Sequence, residues 1–197
     1  MHSDTRRRTS DVASRCRNNR AASRQDMTGS DAVIDVRQAT LEDEPELRRI
    51  DLATWSPLTS PSAPPDNPDE YRFFDGDRRT PDNLLVAVRD GSIAGWVKLS
   101  PATPLPSSDH VKMINGLAVD PEHQGAGVGR ALIEAALERA KVLGARKVSL
   151  RVLGHNDGAR RLYERCGFVV EGVLKEEFLL DGRYADDVFM AYYLTQG

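Results

Sequence analysis

The chain reads as one mixed α/β domain behind a basic N-terminal extension, and three observations carry that reading. Short apolar runs of strand length alternate with stretches whose apolar residues recur at helical spacing. Two of the runs flank Asp90-Gly91, a turn pair that joins antiparallel strands. A third run passes through a glycine-rich turn directly into an amphipathic helix. With 197 residues the chain has room for a single core and a tail, and 40% hydrophobic and 29% charged residues are ordinary for a globular protein.

Charge divides the chain. Residues 1–26 hold seven arginines and three aspartates, a local balance of +4, which leaves about −7 for the rest. That stretch has no Leu, Ile, Phe, Trp or Tyr and no apolar period, so residues 1–31 are expected to be a disordered basic tail and 32–197 the folded domain. A secretory signal is excluded by the absence of an apolar run near the start. The overall net charge of −3 gives no reason to expect nucleic acid as a partner, and no apolar stretch is long enough to span a bilayer. Cys16 and Cys166 lack metal-ligand spacing; no metal is expected, and a reduced, cytoplasmic setting fits them best.

Taken in order, Ala32–Arg37 is the first strand, and Thr40 is placed to cap a helix that runs to about Trp55 with acids in its first turn. Residues 56–70 contain five prolines and no period, which predicts a long loop. Asn83–Val88 and Ser92–Leu99 form the hairpin around Asp90-Gly91, and Val111–Val119 is the next strand. A helix over Gly129–Leu143, a strand over Lys147–Leu153 and a helix over Asp157–Cys166 follow. The end reads as strands over Phe168–Val173 and Glu176–Tyr193, broken at Asp181-Gly182.

The turn Gln124-Gly125-Ala126-Gly127-Val128-Gly129 is the most specific feature. It leaves the backbone N–H groups of a helix start free of Cβ obstruction, the setting in which proteins hold phosphate. A phosphate-loop NTPase needs Lys-Ser/Thr after the last glycine, where Arg130-Ala131 stands. A dinucleotide fingerprint wants Gly or Ala at Arg130 and belongs in the first strand–helix unit of a parallel sheet. A plain tight turn would need one glycine, not three.

Two separated motifs resemble those of the GNAT superfamily of N-acetyltransferases. Gln124, Gly127 and Gly129 fit the Gln/Arg-x-x-Gly-x-Gly/Ala pyrophosphate loop. Asn156 through Phe168 resembles the Asn-x-x-Ala-x-x-Leu-Tyr-x-x-x-Gly-Phe segment, so the likeness extends over roughly residues 32–195. It implies a central, mostly antiparallel twisted sheet that splays between the fourth and fifth strands, flanked by helices. It also implies acetyl-CoA as donor, with Leu117, Ala118 and Val119 beside the pantetheine arm. Gln124, Gly125, Ala126, Gly127, Val128, Gly129 and Arg130 would then surround the pyrophosphate, and Asn156 would reach the arm.

Tyr163 is the candidate general acid, since a phenol with a pKa near 10 stays protonated at neutral pH and can protonate a departing thiolate. Its place on the apolar helical face also allows a plain core role. Asn156 reads equally as a helix cap or turn residue, and Asp157 is the other cap candidate. Some family members carry a glutamate on the central strand where Met113 stands here; Asn115, His110, Asp186 and Asp187 are the nearby substitutes for a base. Tyr71, Phe73 and Phe74 either line an acceptor pocket or pack in the core. The expected reaction is direct acetyl transfer in a ternary complex to a small amine or amino acid. A protein N-terminal or lysine acetyltransferase and a non-catalytic acyl-CoA-binding module are the alternatives, and a homodimer is left open.

Overall fold

The computed structural model describes residues 33–194; the expected tail, 1–31, and Cys16 within it lie outside the described residues. Seven strands form one sheet: β1 (Ile34–Gln38), β2 (Leu84–Arg89), β3 (Ser92–Pro101), β4 (Val111–Val119), β5 (Lys147–Leu153), β6 (Val169–Leu180) and β7 (Arg183–Tyr193). Three α-helices accompany them: α1 (Glu44–Thr54), α2 (Val128–Val142) and α3 (Asp157–Arg165). The sheet order is β1-β2-β3-β4-β5-β7-β6, and every neighbouring pair is antiparallel except β4 with β5.

Both faces of the sheet are covered, with different partners. Val148, Leu150 and Val152 of β5 join Ile114, Val188 and Met190 in a core with Leu132, Ile133 and Ala136 of α2 and Tyr163 of α3. On the opposite face Val86, Trp96 and Ala118 pack with Leu47 and Ile50 of α1 and with Phe73. This alternation, one residue to each face, follows from the period of a strand. Phe73 is fully buried, 5.0 Å from the Trp96 ring in an edge-on arrangement, so the core reading of that aromatic cluster is the one realised for Phe73.

Some boundaries differ from expectation. Thr40 caps a short 3-10 turn, Leu41–Asp43, and α1 starts only at Glu44, because Pro45 fits the first turn of a helix. The irregular segment continues past residue 70 to Thr80, with its own anchors: the Glu44 carboxylate accepts from the Phe73 and Phe74 N–H groups at 2.7 and 2.9 Å. The C-terminal region is two strands, not three. Residues 175–177 make a bulge in β6, where the pairing shifts between Leu174 and Phe178 and Glu176 takes a φ of 53°.

Candidate active site

The site starts from a defect in strand pairing. β4 and β5 pair only from Val111–Lys147 to Ile114–Leu150; beyond that they part, although β4 runs on to Val119 and β5 to Leu153. At the same point β4 carries one extra residue against β3, since Val97 pairs with Leu117 but Leu99 with Ile114. The bulge holds Asn115 and Gly116. Gly116 has no alternative, because a Cβ there would lie 2.7 Å from the Trp96 ring.

Past the bulge, the backbone of β4 points the right way for a ligand. The Asp120 N–H donates to the Ala94 carbonyl at 2.9 Å, which places that pair in the hydrogen-bonded position of the β3–β4 ladder. Positions alternate, so Ala118 also turns its backbone to β3, while Leu117 and Val119 turn theirs into the gap. In agreement, the Gln124 side-chain amide reaches the Val119 carbonyl at 3.3 Å. Ala118, whose side chain is buried on the α1 face, thus presents neither backbone nor side chain to the gap.

β4 leads to a helix start that no described side chain caps. Asp120 closes the strand by accepting from the Glu122 N–H at 3.1 Å and pairing with Arg49 of α1. Gly125 and Gly127 follow with φ of 76° and 85°, in the left-handed region that glycine enters without cost. Gly127 is the N-cap of α2 and supplies no side chain, and no acid stands in the first turn. The first N–H groups of α2 therefore carry the helix's partial positive charge toward the turn unopposed. Gly129 is also closely packed: a Cβ would meet the Leu162 side chain at 3.0 Å, which would have to shift, and Val119 at an ordinary 3.6 Å. Arg130 is exposed and donates to Glu134 at 2.7 Å, so its charge is partly answered within α2.

α3 begins where β5 ends. Asn156 is its N-cap, accepting from the Ala159 N–H at 3.1 Å, so the capping reading holds for Asn156 and Asp157 is the first helical residue. Tyr163 lies on the core-facing side, 8% exposed, its ring centroid 5.8 Å from that of Phe168. Its hydroxyl makes no hydrogen bond to any described residue. Burial, with a smaller contribution from Cys166, pushes its pKa up to about 12. The same burial raises the Cys166 thiol, which disfavours a thiolate nucleophile there.

The base candidates separate. His110 precedes β4 at its paired end, about 15 Å along the strand from where the gap opens. Asp186 accepts from Lys175 at 2.7 Å and from the Glu176 N–H at 3.0 Å, and these bonds hold its carboxyl below the usual range. Asp187 is buried and paired with Arg151. Of the candidates Asn115 alone stands at the fork itself, beside Met113 in the position where some relatives carry glutamate, and neither takes a proton at neutral pH. Sequence reasoning missed Arg151, the first β5 residue beyond the last pair with β4. It also missed His155, whose ring contacts the Pro57 carbonyl at 3.2 Å and ties the proline-rich loop to the end of β5. Alternation along β5 could have placed Arg151 opposite the apolar face; nothing local announces the His155 contact.

Comparison with known proteins settles the class. The acetyltransferase (GNAT) family profile matches residues 45–168, and the chain belongs to that family. The spermidine N(1)-acetyltransferase of Vibrio cholerae is 48% identical over 71 residues, 36% of this chain and 41% of that protein. The chain thus matches less than half the length of that curated relative. Among solved structures, the acetyltransferase yncA of Salmonella typhimurium with acetyl-CoA superposes with a TM-score of 0.68 at 19% identity, covering 84% of this chain and 96% of that one. A phosphinothricin acetyltransferase from Sinorhizobium meliloti, also with acetyl-CoA, gives 0.69 at 20% identity over 83% and 90%. The expected family and the splayed, mostly antiparallel sheet are both borne out.

Proposed function

We propose that the protein transfers an acetyl group from acetyl-CoA to the amine of a small molecule or amino acid, by direct attack while both substrates are bound. The observation that carries this reading is the fork. β4 and β5 part after Ile114 and Leu150, Leu117 and Val119 turn backbone groups that pair with no strand into the gap, and the gap leads to the start of α2, where no side chain caps the helix. A pantetheine arm, with amides along its length, suits the first as an added strand would. A pyrophosphate suits the second. The glycines at 125, 127 and 129 let it approach the backbone, with Gln124, Ala126, Val128 and Arg130 around it.

In this reading the amine lone pair attacks the thioester carbonyl carbon, and the carbon–sulfur bond breaks. The departing sulfur takes a proton from the Tyr163 hydroxyl, which has no hydrogen-bond partner to give up among the described residues. With its pKa raised to about 12, the phenol is protonated at every physiological pH. The amine loses its proton to water, since neither Met113 nor Asn115 can accept it. Tyr163 is then reprotonated from solvent. Asn156, whose amide oxygen caps α3, retains its NH2 for the arm. The partly buried, free Cys166 is consistent with a cytoplasmic place of work.

Thiol release from acetyl-CoA, followed across amino acids, polyamines, aminoglycosides and short peptides, tests the proposal. Release with small amines is expected. Release only with peptides would move the assignment to protein acetylation, and tight CoA binding without release from any acceptor would leave a binding module.

A further inference from the structure

The fork has two faces, and they are not equivalent. The face carrying Leu117, Val119, Leu150 and Val152 is filled by α2 and α3. An acceptor therefore reaches the acetyl carbon from the other face. There α1 covers β3 and β4, and the β5 residues that face the same way are Lys147, Ser149, Arg151 and Leu153, of which Arg151 and Leu153 lie beyond the last pair with β4.

Arg151 is held in an unusual way. Its Nε donates to the Asp187 carboxylate at 2.6 Å, and its Nη2 pairs with the same oxygen. Asp187 itself is withdrawn, 2% exposed, while Arg151 remains 44% exposed. The guanidinium carbon lies 4.9 Å from the Phe189 ring centroid and 5.9 Å from that of Phe178, so two aromatic rings flank the group. Nη1 has no acceptor among the described residues. The pair thus presents solvent with a fixed cation whose counter-ion is behind it. A second cation, Lys98, occupies the same face of the sheet, its stem 3.6 Å from where a Gly116 Cβ would be. Burial, with Arg79 and Arg78 nearby, holds that amine below its usual range.

We infer that Arg151 is a specificity-determining residue that binds an anionic group, a carboxylate or its equivalent, carried by the acceptor beside its reactive amine. This rests on the acetyltransferase reading above and narrows its acceptor to amino-acid-like molecules. A planar guanidinium is suited to a carboxylate, which it engages through parallel N–H donors, and unsuited to a polyamine, which it repels. Asp187 acts as a positioning residue: it turns the guanidinium and leaves the outer edge free.

Matched acceptors test this: ornithine against putrescine, lysine against cadaverine, and phenylalanine against phenethylamine, each with saturating acetyl-CoA. The wild-type enzyme is expected to have the higher kcat/KM for the carboxylate-bearing member of each pair. Arg151→Met should reduce kcat/KM for the amino acid by about 10- to 100-fold more than for its decarboxylated partner, mainly through KM. Because Arg151→Met leaves a buried carboxylate alone, Arg151→Lys and the double variant Arg151→Met with Asp187→Leu are measured alongside, with folding checked by circular dichroism. A preference for the decarboxylated amines in the wild type, or equal losses for both members, would overturn the inference and leave the acetyltransferase assignment standing. Absence of thiol release from every acceptor would instead overturn the assignment on which it rests.

Discussion

The two strands of the fork expose different kinds of group. β4 and the α2 start that follows it offer main chain: the Leu117 and Val119 peptide groups, then the first N–H groups of a helix capped only by glycine. β5 and the strands beyond it offer side chains: Arg151, Asp187, Phe189 and Phe178, arranged by pairing across the sheet. A main-chain site tolerates most substitutions that keep the backbone path and fails where a Cβ intrudes. A side-chain site keeps its fold under substitution and changes what it binds. One invariant donor and a variable acceptor would map onto these two sides in that order.

Tyr163→Phe gives the largest expected effect, because in the proposed reaction Tyr163 serves the chemistry itself. Turnover should fall by about 100-fold or more, the scale of general acid catalysis, with little change in KM for acetyl-CoA. The wild-type pH–rate profile should rise with amine deprotonation and show no fall from this phenol up to pH 10, since burial pushes its pKa up to about 12. An unchanged kcat in the variant would remove Tyr163 from the mechanism.

On the main-chain side, Gly129→Val should weaken CoA binding by about tenfold in calorimetry, because the added atoms press on Leu162 and displace the α2 start. Equal weakening of amine acceptor binding would erase the proposed division of labour.

Asp120, at the β4 exit, links the main-chain side to α1. Its burial pushes the carboxyl up, but the Arg49 guanidinium and the Glu122 N–H outweigh this and hold it below its usual range. A lowered folded-state pKa stabilises above the unfolded value of about 3.9 and ceases to as pH falls through the folded one. Asp120→Asn should therefore lower Tm at pH 7, and the gap to wild type should close below about pH 4. A gap independent of pH would show that packing, not charge, is what Asp120 contributes.

The smallest effect belongs to Arg130→Ala. Exposed and already paired with Glu134, it should change acetyl-CoA KM by less than about threefold at moderate salt. A larger loss would mean that the pyrophosphate depends on this side chain as well as on the helix start.

The same contrast explains what could be read from the sequence. Glycines at 125, 127 and 129 and the Asn156–Phe168 segment are local signals, each imposed by a backbone path or a helix face. The candidate turn, the last helix and β4 and β5, whose bounds match, are accordingly legible. Long-range pairing is not. That Gly116 must lack a Cβ depends on Trp96 in another strand, and Arg151 meets Phe189 and Asp187 only because β7 lies between β5 and β6. The bulge at 175–177 hid in the same way: its charged residues look like a break between strands, and pairing with β7 carries the strand through.

The alternation along β4 also sets a pattern of solvent exchange. The Ala118 amide is turned to β3 and should exchange slowly with deuterium, while those of Leu117 and Val119 on either side face the gap and should exchange fast. A ligand lying in the fork would slow the two outer amides and leave the middle one as it was, so three successive residues form a built-in reporter of occupancy that needs no label and no turnover.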